Sequence, residues 1–374
     1  MTQIGKYVKQ KGNYNAFIPD KFPPKNFAYN ESKIIKPLAD ANLLLGKLDG
    51  LTKLIPDIGF FIFMYINKEA VYSSQVEGTK ANLTDALQAE VERTPELPDD
   101  VDDILHYIQA MNKGLERLNN LPLSLRLIKE VHATLLTGAR SSTSPQPGGF
   151  RNNQNWVMGT NLNDARFVPP PPQHVLPAMG NLEKFFYSHK NIPTLIKAAL
   201  IHSQFETIHP FIDGNGRTGR LLITFYLCHQ NVLDRPVLYL SEYLKKHRNK
   251  YFSLLDEYRK GNVSEWLVFF LEGVIQICEQ AIETSNKIID LREKILQKMS
   301  SLGRASKNAM VLLKHLYKLP IVNVKKVEEA TGLSREAANI LVRRFCKEGI
   351  LLQKDQNVKY GRLFVYKDYL SLFE

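Results

Sequence analysis

The sequence predicts a mainly α fold, interrupted by one β-hairpin and closed by a small unit of helices and short strands. Three observations predict it. Apolar residues recur at steps of three and four through most of the 374 residues, as in Ile104, Ile108, Met111 and Leu115. That period lapses between residues 150 and 168, around a turn-like Asn163-Asp164, which marks the hairpin. A stretch rich in Gly, Asn and Asp, residues 209–220, separates two apolar helical runs at 194–205 and 221–230.

Residues 1–30 hold Pro19, Pro23 and Pro24 and few periodic apolar positions, and read as an extended arm over the surface. Residues 33–47 predict a helix whose regular part starts near Pro37, because proline suits a first turn. Residues 60–76 predict a second helix, closed by a glycine cap at Gly78. The densest apolar run, 58–66, is far short of the ~18 residues of a membrane span, so it reads as core and no membrane partner is expected. Further helices are predicted over 81–90, 104–118 and 125–137, the last stopping at Gly138, with a Pro- and Asp-containing connector at 93–100. His132 reads as an ordinary core or surface histidine. Residues 141–149 form a Ser/Pro/Gly loop, and the prolines at 169–172 a rigid exit from the hairpin. Helices at 175–187, 194–205 and 221–230 surround the glycine-rich stretch, with His202 and Glu206 behind it or at the surface.

Beyond it, 239–258 reads as helical and includes Tyr251 and Phe252, and 266–277 as a buried helix. Residues 281–298 are long and charged, with Ile288, Leu291 and Ile295 at helical steps. They offer either a bridge to the last unit or a homodimer contact. A linker at 300–304 precedes helices at 308–317, 325–330 and 335–347, with Gly332 as a break and Ser334 as a cap, and then short strands at 350–353 and 363–366. That order resembles a winged helix-turn-helix. In the third helix Ala338, Leu341 and Phe345 share a face, and Arg335, Asn339, Arg343 and Arg344 spread over the remainder. Such a unit would lay Arg335–Arg344 into a DNA major groove or serve as a protein dock. The chain thus divides into a helical region at 1–95, a central unit at 96–300 with its core at about 125–260, and the last unit at 301–374.

The net charge is +11. Residues 305–374 carry 13 basic and 7 acidic residues, a net of +6, so most of the excess lies in the last unit and points to nucleic acid or to a solvated basic face. Cys228, Cys278 and Cys346 lie far apart, with neither disulfide nor zinc spacing, which fits a reducing, cytoplasmic location. The first 14 residues are polar and basic, unlike a signal peptide.

The chemistry concentrates in His209-Pro-Phe-Ile-Asp-Gly-Asn-Gly-Arg-Thr-Gly-Arg220. Gly214 and Gly216 flank Asn215, and each can take φ > 0, turning successive N–H groups into one anion-binding concavity. A helix starting near Arg217 adds its positive end. Arg217 and Arg220 lie on one side of its first turn, an unfavourable place for cations unless a polyanion covers them. Asp213 is an oxygen ligand of the kind Mg²⁺ takes beside substrate phosphates. His209 is of the residue type most used as a general base near pH 7. An anion cradle, a metal carboxylate and a proton acceptor together describe nucleotide phosphoryl chemistry.

This stretch resembles the signature of the Fic family, His-Pro-Phe-x-Asp/Glu-Gly-Asn-Gly-Arg-x-x-Arg, at every defined position. The resemblance runs from about 126 to 259. It implies a Fic helical core with a hairpin flap, and a protein adenylyltransferase that moves AMP from ATP to a Tyr, Thr or Ser hydroxyl of a target protein. By that resemblance His209 deprotonates the hydroxyl and Asp213 holds Mg²⁺. Gly214, Asn215 and Gly216 hold the α- and β-phosphates, Arg217 meets the β-phosphate and Arg220 the γ-phosphate. Thr218 and Gly219 fall within the same ATP-binding run, and Phe211 is core. Tyr251, with Phe252 beside it, contacts adenine. Ala165, Arg166 and Phe167 fall on the flap that pairs with the target's main chain. Ser73 to Gly78 is similar to the family's inhibitory motif, Ser/Thr-x-x-x-Glu-Gly/Asn, which implies that Glu77 pairs with Arg220 and bars productive ATP binding. Two other outcomes stay open: hydrolytic removal of AMP with Glu77 orienting water, and a DNA-binding regulator that only senses the nucleotide.

Overall fold

A computed structural model of the chain describes residues 2–25, 27–54, 58–138, 146–188, 191–233, 236–300, 306–358 and 360–373. It opens with a two-stranded antiparallel hairpin, β1 (Gly5–Lys9) and β2 (Asn15–Pro19). This overturns the extended arm expected for 1–30. Ile4, Ala16, Phe17 and Phe22 are buried, and the Phe17 N–H donates to Val168 O. The segment therefore belongs to the core, and its anchors come from residues distant in sequence, which periodicity cannot register.

Four helices follow: α1 (Glu31–Leu54), α2 (Ile58–Val76), α3 (Leu83–Val91) and α4 (Val101–Leu118). Helix α1 starts before Pro37 and runs through it, contrary to the expected start there. A proline in a helix interior costs about 3 kcal/mol. The cost is offset where Ile34, Ala41, Leu45 and Leu48 are buried and the N-terminus is tied down by the Lys33–Glu265 ion pair at 2.7 Å. Asn82 caps α3 through a reciprocal bond with Asp85, two orphan donors satisfied at once.

Next come α5 (Leu125–Leu136), α6 (Pro172–Tyr187), α7 (Thr194–Ile208) and α8 (Asn215–His229). Between α5 and α6 the expected hairpin is present as a short one, joined by an antiparallel bridge, Val157 to Phe167, and by the bond from the Arg166 N–H to Met158 O. Asp164 turns back to accept from the N–H groups of Thr160 and Asn161, so side-chain bonds hold the tip where a strand ladder would. Every residue of α7 from Leu195 to Ile208 is buried. A helix covered all round is the centre of its domain, and α8 packs directly against it.

After α9 (Ser241–Lys246) and α10 (Arg248–Arg259), α11 (Val263–Ser300) is one helix of 38 residues rather than the two expected. It packs along α1 and reaches the C-terminal unit, where Lys298 Nζ donates to Glu348 O, so it acts as the bridge. The expected linker at 300–304 falls mostly outside the described residues. The last unit consists of α12 (Ser306–Lys318), β3 (Ile321–Val322), α13 (Val324–Thr331), α14 (Arg335–Lys347), β4 (Leu352–Gln353), β5 (Phe364–Val365) and α15 (Lys367–Leu370). Its sheet order, β3-β5-β4, is antiparallel throughout. The unit thus joins helices to a small antiparallel sheet, as the sequence order predicts. Ala338, Leu341 and Phe345 of α14 are buried, while Arg335, Arg343 and Arg344 are exposed. The unit also packs on α2: the Phe373 ring meets Tyr65 edge to face at 5.6 Å.

Among the described residues no helix is long and apolar enough to cross a membrane. Cys228, Cys278 and Cys346 carry free thiols.

Candidate active site

A cleft of about 580 Å³ opens where α7 hands over to α8. It is lined by His209, Asp213, Gly214, Asn215, Gly216, Arg217 and Arg220, and on its other walls by Glu77, Glu206, Tyr251 and Phe252. The structure thus brings together most of the residues that the sequence singled out.

The turn that makes the cleft is built by two left-handed residues. His209 (φ 49°) ends α7, and Gly214 (φ 73°) precedes α8. A non-glycine residue at positive φ is uncommon, and several partners fix it here. Arg151, buried in the flap segment, donates from Nε to His209 O (2.9 Å) and from its guanidinium to Asn153 O, Pro170 O and Ile208 O. His132 stacks on Phe211 with ring centres 3.6 Å apart. Its Nδ1 accepts from the Gly148 N–H, so Nε2 carries the proton and donates to Asp213 O at 2.9 Å. Burial, the largest cause, pushes the His132 pKa down to about 4, which keeps that neutral tautomer. Neither Arg151 nor His132 stands out in the sequence, because their partners are main-chain carbonyls up to 81 residues away.

Helix α8 begins at Asn215, earlier than the expected Arg217. Gly216 is therefore helical and does not adopt the positive φ expected of it. Its role is close approach. A Cβ there would overlap Glu77 Oε1. Gly216→Ala is expected to drive the Glu77 carboxylate out of its seat and lower the melting temperature of the ligand-free protein by about 2 °C or more, as misplaced methyl groups cost about 1–3 kcal/mol. An unchanged melting curve would remove that role.

Arg220 is buried and meets three acceptors. Nε donates to Ser73 Oγ (2.8 Å), and Nη2 to Ser73 O (2.9 Å) and to Glu77 Oε1 (2.7 Å). The pairing with Glu77 is a single contact, made beside the two bonds to Ser73. Burial works against the Arg220 charge, but Glu77, Tyr251, Tyr107 and Glu206 together hold its pKa above the usual value. Arg217 turns the other way, to Asp103 Oδ1 (3.4 Å) and Asp213 Oδ2 (3.9 Å). Asp103, in the first turn of α4, carried no signal in the sequence, since 114 residues separate it from its partner. The Asp213 carboxylate accepts from the Gly214 N–H at 2.6 Å and remains partly exposed to the cleft.

His209 lies half-buried on the cleft floor. Burial, and then the Arg151 and Arg259 charges, push its pKa down to about 3, so the imidazole is neutral at physiological pH. Its Nδ1 lies 3.0 Å from Asn155 Nδ2 and 3.1 Å from Asn215 Nδ2.

Other positions differ from expectation. Thr218 and Gly219 are buried and do not line the cleft; Gly219 O accepts from His202 Nδ1, which ties α8 to α7. His202, expected behind the site or at the surface, is fully buried and accepts at Nε2 from the Tyr251 hydroxyl. Tyr251 is thereby 1% exposed, whereas Phe252 next to it is only half-buried at the cleft wall, so the more accessible ring is Phe252. Glu206 is buried in the wall, with a pKa raised to about 7, chiefly by burial. Of the flap, Trp156, Val157 and Met158 line the cleft, and Ala165, Arg166 and Phe167 do not. Phe167 is buried under Arg259, and Arg166 is paired with Asp256 at 2.8 Å.

Comparison with known proteins agrees with this geometry. Residues 35–116 match the model of the Fic/DOC family N-terminal region, and residues 122–227 that of the Fic/DOC family. A protein of Aquifex aeolicus named as a probable protein adenylyltransferase is 32% identical over 117 residues, 31% of this chain and 32% of that protein. The protein adenylyltransferase Fic of Drosophila yakuba is 30% identical over 175 residues, 46% of this chain and 31% of that protein. The chain spans about a third of the length of these curated relatives. A crystal structure of a Fic family protein from Desulfovibrio desulfuricans superposes with a TM-score of 0.58 at 15% identity, covering 91% of this chain and 97% of that one. A Fic domain containing signaling protein from Bacteroides thetaiotaomicron gives 0.53 at 19%, covering 66% and 97%. Its signature stretch, its fold and both family models place this chain in the Fic/DOC family.

Proposed function

We propose that the protein is an adenylyltransferase that transfers AMP from ATP to a hydroxyl side chain of a target protein, and that Glu77 holds it in a restrained state. The observation that carries the reading is the convergence of a neutral imidazole, a cleft-facing carboxylate and the first turn of α8 on one cavity. The triphosphate lies over the N-terminus of α8, where the helix dipole, the N–H groups after Gly214, Arg217 and Arg220 neutralise it. Asp213 fits a Mg²⁺ site: Mg²⁺ usually keeps one or two carboxylates and completes its shell with phosphate oxygens and water. Bound there, it would supply charge neutralisation at the phosphates. The base lies against the wall that Phe252 lines.

The target hydroxyl reaches His209 across the flap, and its proton passes to the imidazole. Its oxygen forms a bond to the α-phosphorus as the bond from that phosphorus to the bridging oxygen breaks, and pyrophosphate leaves. Main-chain pairing along the flap tolerates varied target sequences, because the bonds are made by groups that every residue carries.

Incubation of the Glu77→Gly variant with ATP labelled at either the α- or the γ-phosphorus tests the reading. Label retained on protein from the α position alone is expected. Transfer from the γ position would make the protein a kinase, and transfer from neither would leave a nucleotide sensor.

A further inference from the structure

Asn155, in the first limb of the flap segment, touches the ring of His209 in a way the proposed chemistry has not used. Both Asn155 and Asn215 present Nδ2 to His209 Nδ1, at 3.0 and 3.1 Å, and both donate their other proton to Phe211 O at 2.8 Å. A carboxamide nitrogen can only donate. In this arrangement Nδ1 is therefore the acceptor, and the ring proton sits on Nε2. A base acting on a hydroxyl in the cleft needs the reverse: a lone pair on Nε2 and the proton on Nδ1.

The two asparagines differ in their freedom to allow that. Asn215 cannot turn, because its Oδ1 accepts from the Phe211 N–H at 2.8 Å; once Nδ1 carries a proton, Asn215 Nδ2 gives up its contact with the ring and keeps only its bond to Phe211 O. Asn155 can: its Oδ1 is buried without a hydrogen-bond partner. A half-turn of that carboxamide exchanges Nδ2 for Oδ1 opposite the imidazole. The turn gives up one bond to Phe211 O, which keeps its bond from Asn215, and it places Oδ1 near that carbonyl. The turned form is thus the less stable one until Nδ1 carries a proton.

We propose that Asn155 is a positioning residue that selects the tautomer of His209. With its oxygen towards the ring it accepts the Nδ1–H and frees the Nε2 lone pair for the target hydroxyl. It keeps that bond when the ring becomes imidazolium. The inference rests on the reading of His209 as the base.

The test uses the full chain carrying Glu77→Gly, with its own self-modification by α-labelled ATP as the rate and ¹⁵N-histidine NMR as the tautomer readout. Asn155→Leu, which removes the acceptor, is expected to lower the rate at saturating ATP by about tenfold or more, with KM for ATP within about twofold. Asn155→Asp, which can only accept, is expected to keep at least about a third of the parent rate and to move the proton of His209 from Nε2 to Nδ1. The proposal is overturned if both variants slow equally, if Asn155→Leu matches the parent, or if the proton stays on the same nitrogen in the parent and in Asn155→Asp. If Asn155→Leu fails to fold, the Asn155→Asp spectrum still decides. A fully active His209→Ala would instead overturn the reading of His209, whatever Asn155 does.

Discussion

Glu77→Gly is expected to raise AMP transfer by about ten- to a hundredfold. Glu77 Oε1 lies 2.7 Å from Arg220 Nη2, on the cleft side of a guanidinium that is otherwise enclosed. While the carboxylate is there, a γ-phosphate cannot take the same face of the arginine. A hydrogen bond to a charged group contributes about 1.5–3 kcal/mol, which corresponds to that range of populations. The Glu77 side chain is 41% exposed, so solvent screening favours the lower end. A second effect follows. Without Glu77 the buried Arg220 keeps its bonds to Ser73 but loses the carboxylate paired with it, and an arginine left with less counter-charge destabilises the fold. The ligand-free variant should therefore melt below the wild type, and Mg²⁺–ATP should raise its melting temperature by more. Radiolabel transfer and thermal melts with and without ATP measure both. Equal transfer rates and equal ATP affinity would dispose of the latch. If the variant instead loses the ability to strip AMP from a modified target, Glu77 serves hydrolysis.

The second large effect is at His209. His209→Ala should slow transfer by about 10² to 10⁴ while ATP still binds, because the imidazole contacts neither phosphate arginine and general-base catalysis is worth roughly that factor. Single-turnover rates in the Glu77→Gly background, with ATP affinity by calorimetry, separate the two quantities. A variant that turns over at the parent rate would mean that the proton leaves by another route. The pKa of about 3 makes a further demand: the ring stays neutral through the physiological range, so the rate should not fall between pH 8 and pH 6 from its protonation.

The sequence was most legible where one segment carries its own instructions. The run from His209 to Arg220 contains the left-handed turn, the helix start and both arginines. Ser73 and Glu77 were legible for the same reason, as they share one helical stretch. The partners that aim these groups were not. Asp103, His132, Arg151 and Asn155 reach the site across 54 to 114 residues, and each does so through a carbonyl or a single side chain that leaves no periodic trace. The same holds for architecture. Pro37 was expected to open a helix, but α1 is fixed by its burial along α11. The flap was expected to be a hairpin and is one, held by one bridge and closed at its tip by Asp164, whose side-chain bonds its sequence did not single out. Local propensity yields wherever packing supplies more free energy than a lost backbone bond.

Helix α2 meets the rest of the molecule through residues four apart: Tyr65 under Phe373, Glu69 under Tyr107 and Ser241, and Ser73 against Arg220, with Glu77 just past its end. One rod therefore carries the cover supplied by the C-terminus at one end and the arginine clasp at the other. Trimming the chain before Phe373 is not a neutral edit, because it strips an aromatic roof from the same rod that sets the carboxylate. Rates measured on a shortened chain would mix the chemistry of the cleft with a loosened seating of Glu77.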